Sequence, residues 1–147
     1  MRRFVMYVAV VMVASLWVVA VAQTKITTTE EYTKLMKSNA QANGALNKAV
    51  GSGAFADARM QVVTLRQNFM TLQGFWTERK KDDAAGILKD GLTRLGALDK
   101  MLSAGTPDQV AAQAAAKEFG GNTCGACHKL YREGDNTAGF KFKAGVF

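Results

Sequence analysis

The sequence predicts an all-α fold, an antiparallel bundle of four helices, from three observations. Apolar residues recur at alternating spacings of three and four in four successive segments. The connections between these segments are short, so neighbouring helices must run back against one another. The 147-residue chain is one domain's worth and holds one proline, Pro107, which leaves little of the punctuation that strands need.

The first helix is expected over residues 29–50. Thr28 and Glu31 have the spacing of a capping box, in which hydroxyl and carboxylate satisfy free amides of the first turn. Its apolar face holds Tyr32, Leu35, Met36, Leu46 and Val50, and Gly51-Ser52-Gly53 ends it. The second helix, over 54–79, carries Phe55, Ala58, Val62, Leu65, Phe69, Leu72 and Trp76 as a continuous seam, with Gly74 a weak point. The charged run from Glu78 to Asp83 reads as a turn, and Asp82 or Asp83 starts the third helix. Leu88, Leu92, Leu95, Leu98 and Leu102 line that helix to about residue 103, and Gly105 stops it. For the fourth, Thr106 is expected to cap, Pro107 to take the first position and Gln109 to complete the box. It is expected to run to residue 133, with a kink at Gly120-Gly121. Residues 134–147 follow as an irregular tail, made apolar by Phe140, Phe142 and Phe147.

Residues 1–22 read as an export signal. Arg2 and Arg3 form a basic start, residues 4–21 are uncharged and apolar but for Ser15, and Ala20-Val21-Ala22 matches a small-x-small cleavage site. Cleavage leaves residues 23–147 as the domain, delivered to the periplasm. Uncleaved, the same run would hold the chain at a membrane. No cysteine follows it to take a lipid.

The two cysteines and the single histidine all fall within Cys124-Gly125-Ala126-Cys127-His128. A spacing of three puts both thiols on neighbouring turns of one side of a helix, where they can add to two vinyl groups of one porphyrin. His128 follows at once and can reach the iron. Cys-x-x-Cys-His is the attachment signature of c-type haem, so one covalent haem c is expected through Cys124 and Cys127, with His128 as axial ligand. A thioredoxin-like pair wants a strand-helix-strand context, which the pattern lacks. A closed zinc site of Cys and His needs four ligands, and the chain has three such residues.

A second histidine ligand is excluded within one chain. The sixth position is left to a methionine, another weak donor, water or nothing. Met36 lies on the apolar face of the first helix; Met60 and Met70 lie off the seam of the second, and Met101 is the remaining candidate. Any of these methionines can equally be core filler.

The motif stands on the last helix and is followed by Tyr131 and Arg132. In this the chain resembles the class II c-type cytochromes, the cytochrome c′ and cytochrome c556 family, whose final helix reads Cys-x-x-Cys-His-x-x-aromatic-Arg. The match covers Cys124, Cys127, His128, Tyr131 and Arg132; elsewhere it is one of pattern only. The resemblance implies a four-helix bundle, haem contacts from Tyr131 and Arg132, and Met36 at the place of a second axial ligand. It also implies a homodimer through the first helices. Two features depart from the family: Tyr32, with Lys34 nearby, stands where an arginine is usual, and the tail is longer.

Two functions follow from the residue over the iron. A methionine there makes an electron carrier; a vacant position behind an apolar wall makes a five-coordinate protein that binds NO or CO. Arg132, four residues after His128, is expected to share its helical face. Phe140 and Phe142 either cover a haem edge or pack on the nearest groove. No acid–base pair is visible and the lone histidine is committed to iron, so no enzyme is expected. The net charge of +7 suits an acidic redox partner, or a merely soluble surface, and no basic-aromatic cluster points to nucleic acid.

Overall fold

The computed structural model describes residues 25–135 and 139–146. Residues 1–22, read above as an export signal, lie outside the described residues. Four helical rods form the expected bundle: α1 (Thr29–Gly51), α2 (Phe55–Glu78), α3 (Asp82–Leu102), and a last rod made of α4 (Gln109–Phe119), a π-helical turn (Gly120–Gly125) and α5 (Ala126–Tyr131). Cross-contacts give the directions. Asn39 meets Asn68 near the middle of α1 and α2, and Tyr32 meets Trp76 towards the far end. Arg59 pairs with Asp99 across α2 and α3. Gln109 reaches Val50 and Gly51, and Asp83 meets Tyr131. Every neighbouring pair therefore runs antiparallel, in an up-down-up-down bundle. Among the described residues, no helix is long and apolar enough to cross a membrane.

The first cap is the one the sequence specifies. Glu31 N donates to Thr28 Oγ1 at 3.1 Å, and Glu31 Oε2 accepts from Thr28 N at 3.0 Å. Gly53 takes φ +74° in the turn that ends α1, a conformation open to glycine without a Cβ penalty. The last rod starts later than expected. Asp108, not Thr106, is its cap, its Oδ1 accepting from Ala111 N at 3.0 Å. A carboxylate is the better acceptor and also suits the positive end of the helix dipole. Gln109, freed from any box, donates from Nε2 to the carbonyls of Val50 (3.0 Å) and Gly51 (2.7 Å) at the end of α1. One side chain thus satisfies two carbonyls that a helix end leaves without intrahelical partners.

The core is the predicted seam. Ala58, Val62, Leu65, Phe69, Leu72 and Trp76 of α2 are buried, as are Leu88, Leu95, Leu98 and Leu102 of α3. Met60, Met70 and Met101 are exposed, consistent with positions off the seam. The kink expected at Gly120-Gly121 is a π turn. Its cause is visible in the spacing. Phe119, Thr123, Cys127 and Tyr131 all turn inward at strict intervals of four. In an α-helix such a row drifts by about 40° per step, because a turn holds 3.6 residues. The wider π turn absorbs the drift.

The chain end differs from the sequence expectation. Helix α5 stops at Tyr131, where Arg132 takes an extended conformation (φ −111°, ψ 139°). The tail expected to be irregular instead contains a strand: β1 (Arg132–Asp135) pairs antiparallel with β2 (Gly139–Phe142), Arg132 opposite Phe142 and Gly134 opposite Phe140. Tertiary packing decides this, because the Phe142 ring packs tilted on Tyr32, centroids 4.5 Å apart, and Lys143 N donates to Tyr131 O at 3.0 Å.

Gly91 and Gly74 should respond oppositely to alanine. A Cβ on Gly91 would lie 2.5 Å from Thr123 Cγ2 and 3.0 Å from Phe69 Cε1, while Gly74 has nothing within 4 Å. Gly91→Ala should lower stability by about 1–3 kcal/mol through overpacking. Gly74→Ala should raise it by about 0.5–1 kcal/mol, the helix-propensity difference. Urea unfolding midpoints of the two variants check both signs.

Candidate functional site

One end of the bundle carries a pocket of about 400 Å³. That volume falls in the range of sites that take cofactor-sized ligands. Helix α1 contributes Thr29, Tyr32, Thr33, Met36, Lys37 and Ala40 to its lining. The other wall comes from Cys127, His128 and Tyr131 of α5, and the hairpin adds Arg132, Phe140, Lys141 and Phe142.

An aromatic cluster forms the inner boundary. Trp76 is fully buried; its ring centroid lies 4.5 Å from Tyr131, 5.1 Å from Phe75, 6.1 Å from Phe142 and 6.2 Å from Tyr32. These contacts draw together α1, α2, α5 and β2, and so set the distance between the Met36 and His128 walls. Burial pushes the Tyr32 phenol up, with a contribution from Cys127, and the Trp76 indole works in the other direction. The cluster is therefore neutral, which suits an apolar wall.

The five motif residues and Met36 fall unequally in this pocket. Met36, Cys127, His128, Tyr131 and Arg132 all line it. Cys124 does not: it is half-buried beside Thr123 and packs against the core. Arg132 reaches the pocket from the first position of β1, not along the helical face of His128 as expected. It holds its guanidinium 3.9 Å over the Phe140 ring. Lys34, nearest to the missing family arginine, pairs with Glu30 at 2.9 Å and is not part of the lining.

The protonation states favour ligation over thiolate chemistry. Burial lowers the His128 pKa, and the Arg132 charge adds to the effect, so the imidazole is neutral near pH 7 and offers a lone pair. Burial raises both thiols. Cys127 is pushed to about 11, with Cys124 and Asp83 adding to the burial effect. Reactive redox thiols show the opposite shift. Among the described residues no three His, Cys, Asp or Glu side chains converge on a common point as a protein-only metal site requires.

The residues fit a haem by their chemistry. A neutral imidazole, a thioether and a thiol line one apolar cavity. Outside the lining, Thr123 Oγ1 and Asn39 Nδ2 are buried without a hydrogen-bond partner among the described residues. Asn39 is 7% exposed and Thr123 1%. The Asn39 carbonyl is satisfied by Asn68 Nδ2 at 2.9 Å, so only its amide donor is left over. Buried donors normally find partners.

Three participants were missed in the sequence. Asp83 accepts a hydrogen bond from the Tyr131 hydroxyl, 48 residues away, a pairing that only the fold creates. Lys37 and Lys141 join the lining. The strand carrying Lys141 did leave a signal, the alternation Phe140-Lys141-Phe142 behind a glycine. No family model, curated protein or solved structure matches the chain.

The Tyr131–Asp83 bond makes a pH-dependent contribution. The bond holds the Asp83 carboxyl below its usual range, so its stabilisation is present above the unfolded carboxylate pKa and is lost as pH falls through the folded one. Tyr131 is raised to about 12, first by burial and then by Asp83, so its share is present below the unfolded phenol pKa and is lost as pH rises through about 12. Tyr131→Phe should cost about 1 kcal/mol at neutral pH, a charge-assisted bond discounted for solvent screening. The difference from wild type should shrink at both acid and alkaline pH. Denaturant titrations across pH check this.

Proposed function

We propose that this chain is an exported, monohaem c-type cytochrome of the periplasm that carries electrons and is not an enzyme. The observation that carries the reading is the meeting of Cys127, His128 and Met36 in one apolar pocket, from segments about ninety residues apart. Residues 1–22 act as the export signal and residues 23–147 as the cytochrome domain. The partners are redox proteins with acidic docking faces, to which the domain's charge of +5, the chain's +7 less Arg2 and Arg3 of the signal, steers the approach. Resemblance to class II c-type cytochromes supports the same reading through Cys124, Cys127, His128, Tyr131 and Arg132.

A haem held there supplies a one-electron iron couple. The chain's own residues set its terms. Cys124 and Cys127 provide the two thiols for covalent attachment. His128 offers a neutral ring nitrogen from α5. Met36 offers a thioether from the opposite wall, a soft, neutral donor that favours the reduced metal. Tyr32, Phe75, Trp76, Tyr131 and Phe142 keep water from the inner wall. For Cys124 to join, its side chain must turn from the core towards the pocket.

Covalent attachment is read directly. The purified protein should keep a haem stain after denaturing electrophoresis, and the Cys124→Ser, Cys127→Ser double variant should lose it. Stain retained in that variant would remove the thiols from the reading.

The role of Met36 is read from spin state. With Met36 bound, the oxidised protein is low-spin and shows the weak near-infrared sulfur-to-iron band. Met36→Ala should become high-spin, take up carbon monoxide and move to a lower potential. A wild type that is already high-spin and gas-reactive would make Met36 a wall over the iron, and the protein an NO- or CO-binding one.

A further inference from the structure

We infer that the C-terminal hairpin is part of the cofactor site: Arg132 of β1, with Lys37 of α1 facing it and Lys141 of β2 at the rim, forms a cationic collar that holds the ionised carboxylates of a tetrapyrrole at the pocket mouth. The inference rests on the haem reading and assigns a subsite within it.

Charge distribution is the first argument. The pocket lining includes Lys37, Arg132 and Lys141, and no aspartate or glutamate. Elsewhere on the described surface cations and anions are interspersed as pairs, such as Arg59–Asp99 and Arg94–Asp90. Here, among the described residues, only Lys141 forms an ion pair, with Glu133 at 3.5 Å across the hairpin. An apolar cavity with a cationic mouth suits a ligand with an apolar body and anionic edge groups, because each end then meets its complement.

The second argument is that the collar is held in place. Strand pleating puts Arg132, Phe140 and Phe142 on one face of the hairpin, since Arg132 is opposite Phe142 and Phe140 is two residues away. Phe142 is fixed against Tyr32 at 4.5 Å. Lys143 ties the strand back to the helix end, from its N to Tyr131 O (3.0 Å) and from Nζ to Lys129 O (2.8 Å). Val146 beyond it is buried at 7% exposure. Arg132 holds its guanidinium carbon 3.9 Å from the Phe140 ring centroid, and a guanidinium can meet a carboxylate in two-point fashion. The extra chain after the haem motif thus has a use: it brings cations to a rim that a bundle ending at Tyr131 would leave open.

The test uses the haem-loaded protein with Lys37→Gln, Arg132→Gln, and Lys117→Gln as a control on an exposed residue of α4 outside the pocket. Two quantities are read: the resonance Raman bending band of the porphyrin carboxylates, and the midpoint potential at low and high salt. We expect Lys37→Gln and Arg132→Gln to shift the band and lower the potential, by an amount that shrinks with added salt. Lys117→Gln should change neither, and Arg132→Lys should restore most of the wild-type potential. Unchanged bands in both pocket variants, with covalent haem retained, would place the carboxylates elsewhere and overturn the collar alone. A wild-type protein without covalent haem would overturn the haem reading and the collar together.

Discussion

The packing of Trp76 governs the site end of this bundle. Its side chain is fully buried, and rings from α1, α2, α5 and β2 converge on it: Tyr32, Phe75, Tyr131 and Phe142. Each aromatic pair adds about 0.5–1.5 kcal/mol beyond the area it buries. More important is the geometry this enforces. Met36 lies one turn after Tyr32 on α1, and His128 one turn before Tyr131 on α5. Locking Tyr32 and Tyr131 to a common partner therefore ties together the two helix segments that bring Met36 and His128 to the pocket.

The last rod shows a second constraint, one of phase. From Phe119 onward its inward row is spaced by four, and an unbroken α-helix would carry Cys127 and Tyr131 off the bundle axis. The π turn over Gly120–Gly125 brings them back. Gly91 makes room for it, because Thr123, the buried residue of the turn, sits where a Cβ on α3 would be. A glycine on one helix and a glycine pair on another are thus linked through a single close approach. The π turn takes in Cys124 and Gly125, the first two residues of the Cys-x-x-Cys-His segment, and such turns often mark functional sites.

Burial also shapes the chemistry open to the motif. The same desolvation raises the thiols and lowers the imidazole. A thiol kept protonated is poor material for disulfide exchange, and an imidazole kept neutral offers a lone pair for ligation. Asp83 is exposed, yet it touches this arrangement twice, as the acceptor for Tyr131 and as a negative charge felt by Cys127.

The helices, their order and most of their ends were legible in the residues because those depend on local rules. The three-and-four spacing reports which face is apolar, and the Thr28–Glu31 box is complete within four residues. The Cys-x-x-Cys-His segment stood out as a motif for the same reason, being contained in five consecutive residues. Other features depend on groups far apart in the chain, and local pattern is silent about them. Gln109 was read as half of a box but caps the end of α1, because two carbonyls some sixty residues earlier compete for its amide. The tail was read as irregular, yet it pairs as a hairpin, because Phe142 finds an aromatic cluster that exists only once the helices have met. The fold placed Met36 beside His128, left Cys124 against the core, and delivered Arg132 from a strand. Periodicity records which side of an element faces inward; which other element it meets there is decided by packing, and this pocket is made of such meetings.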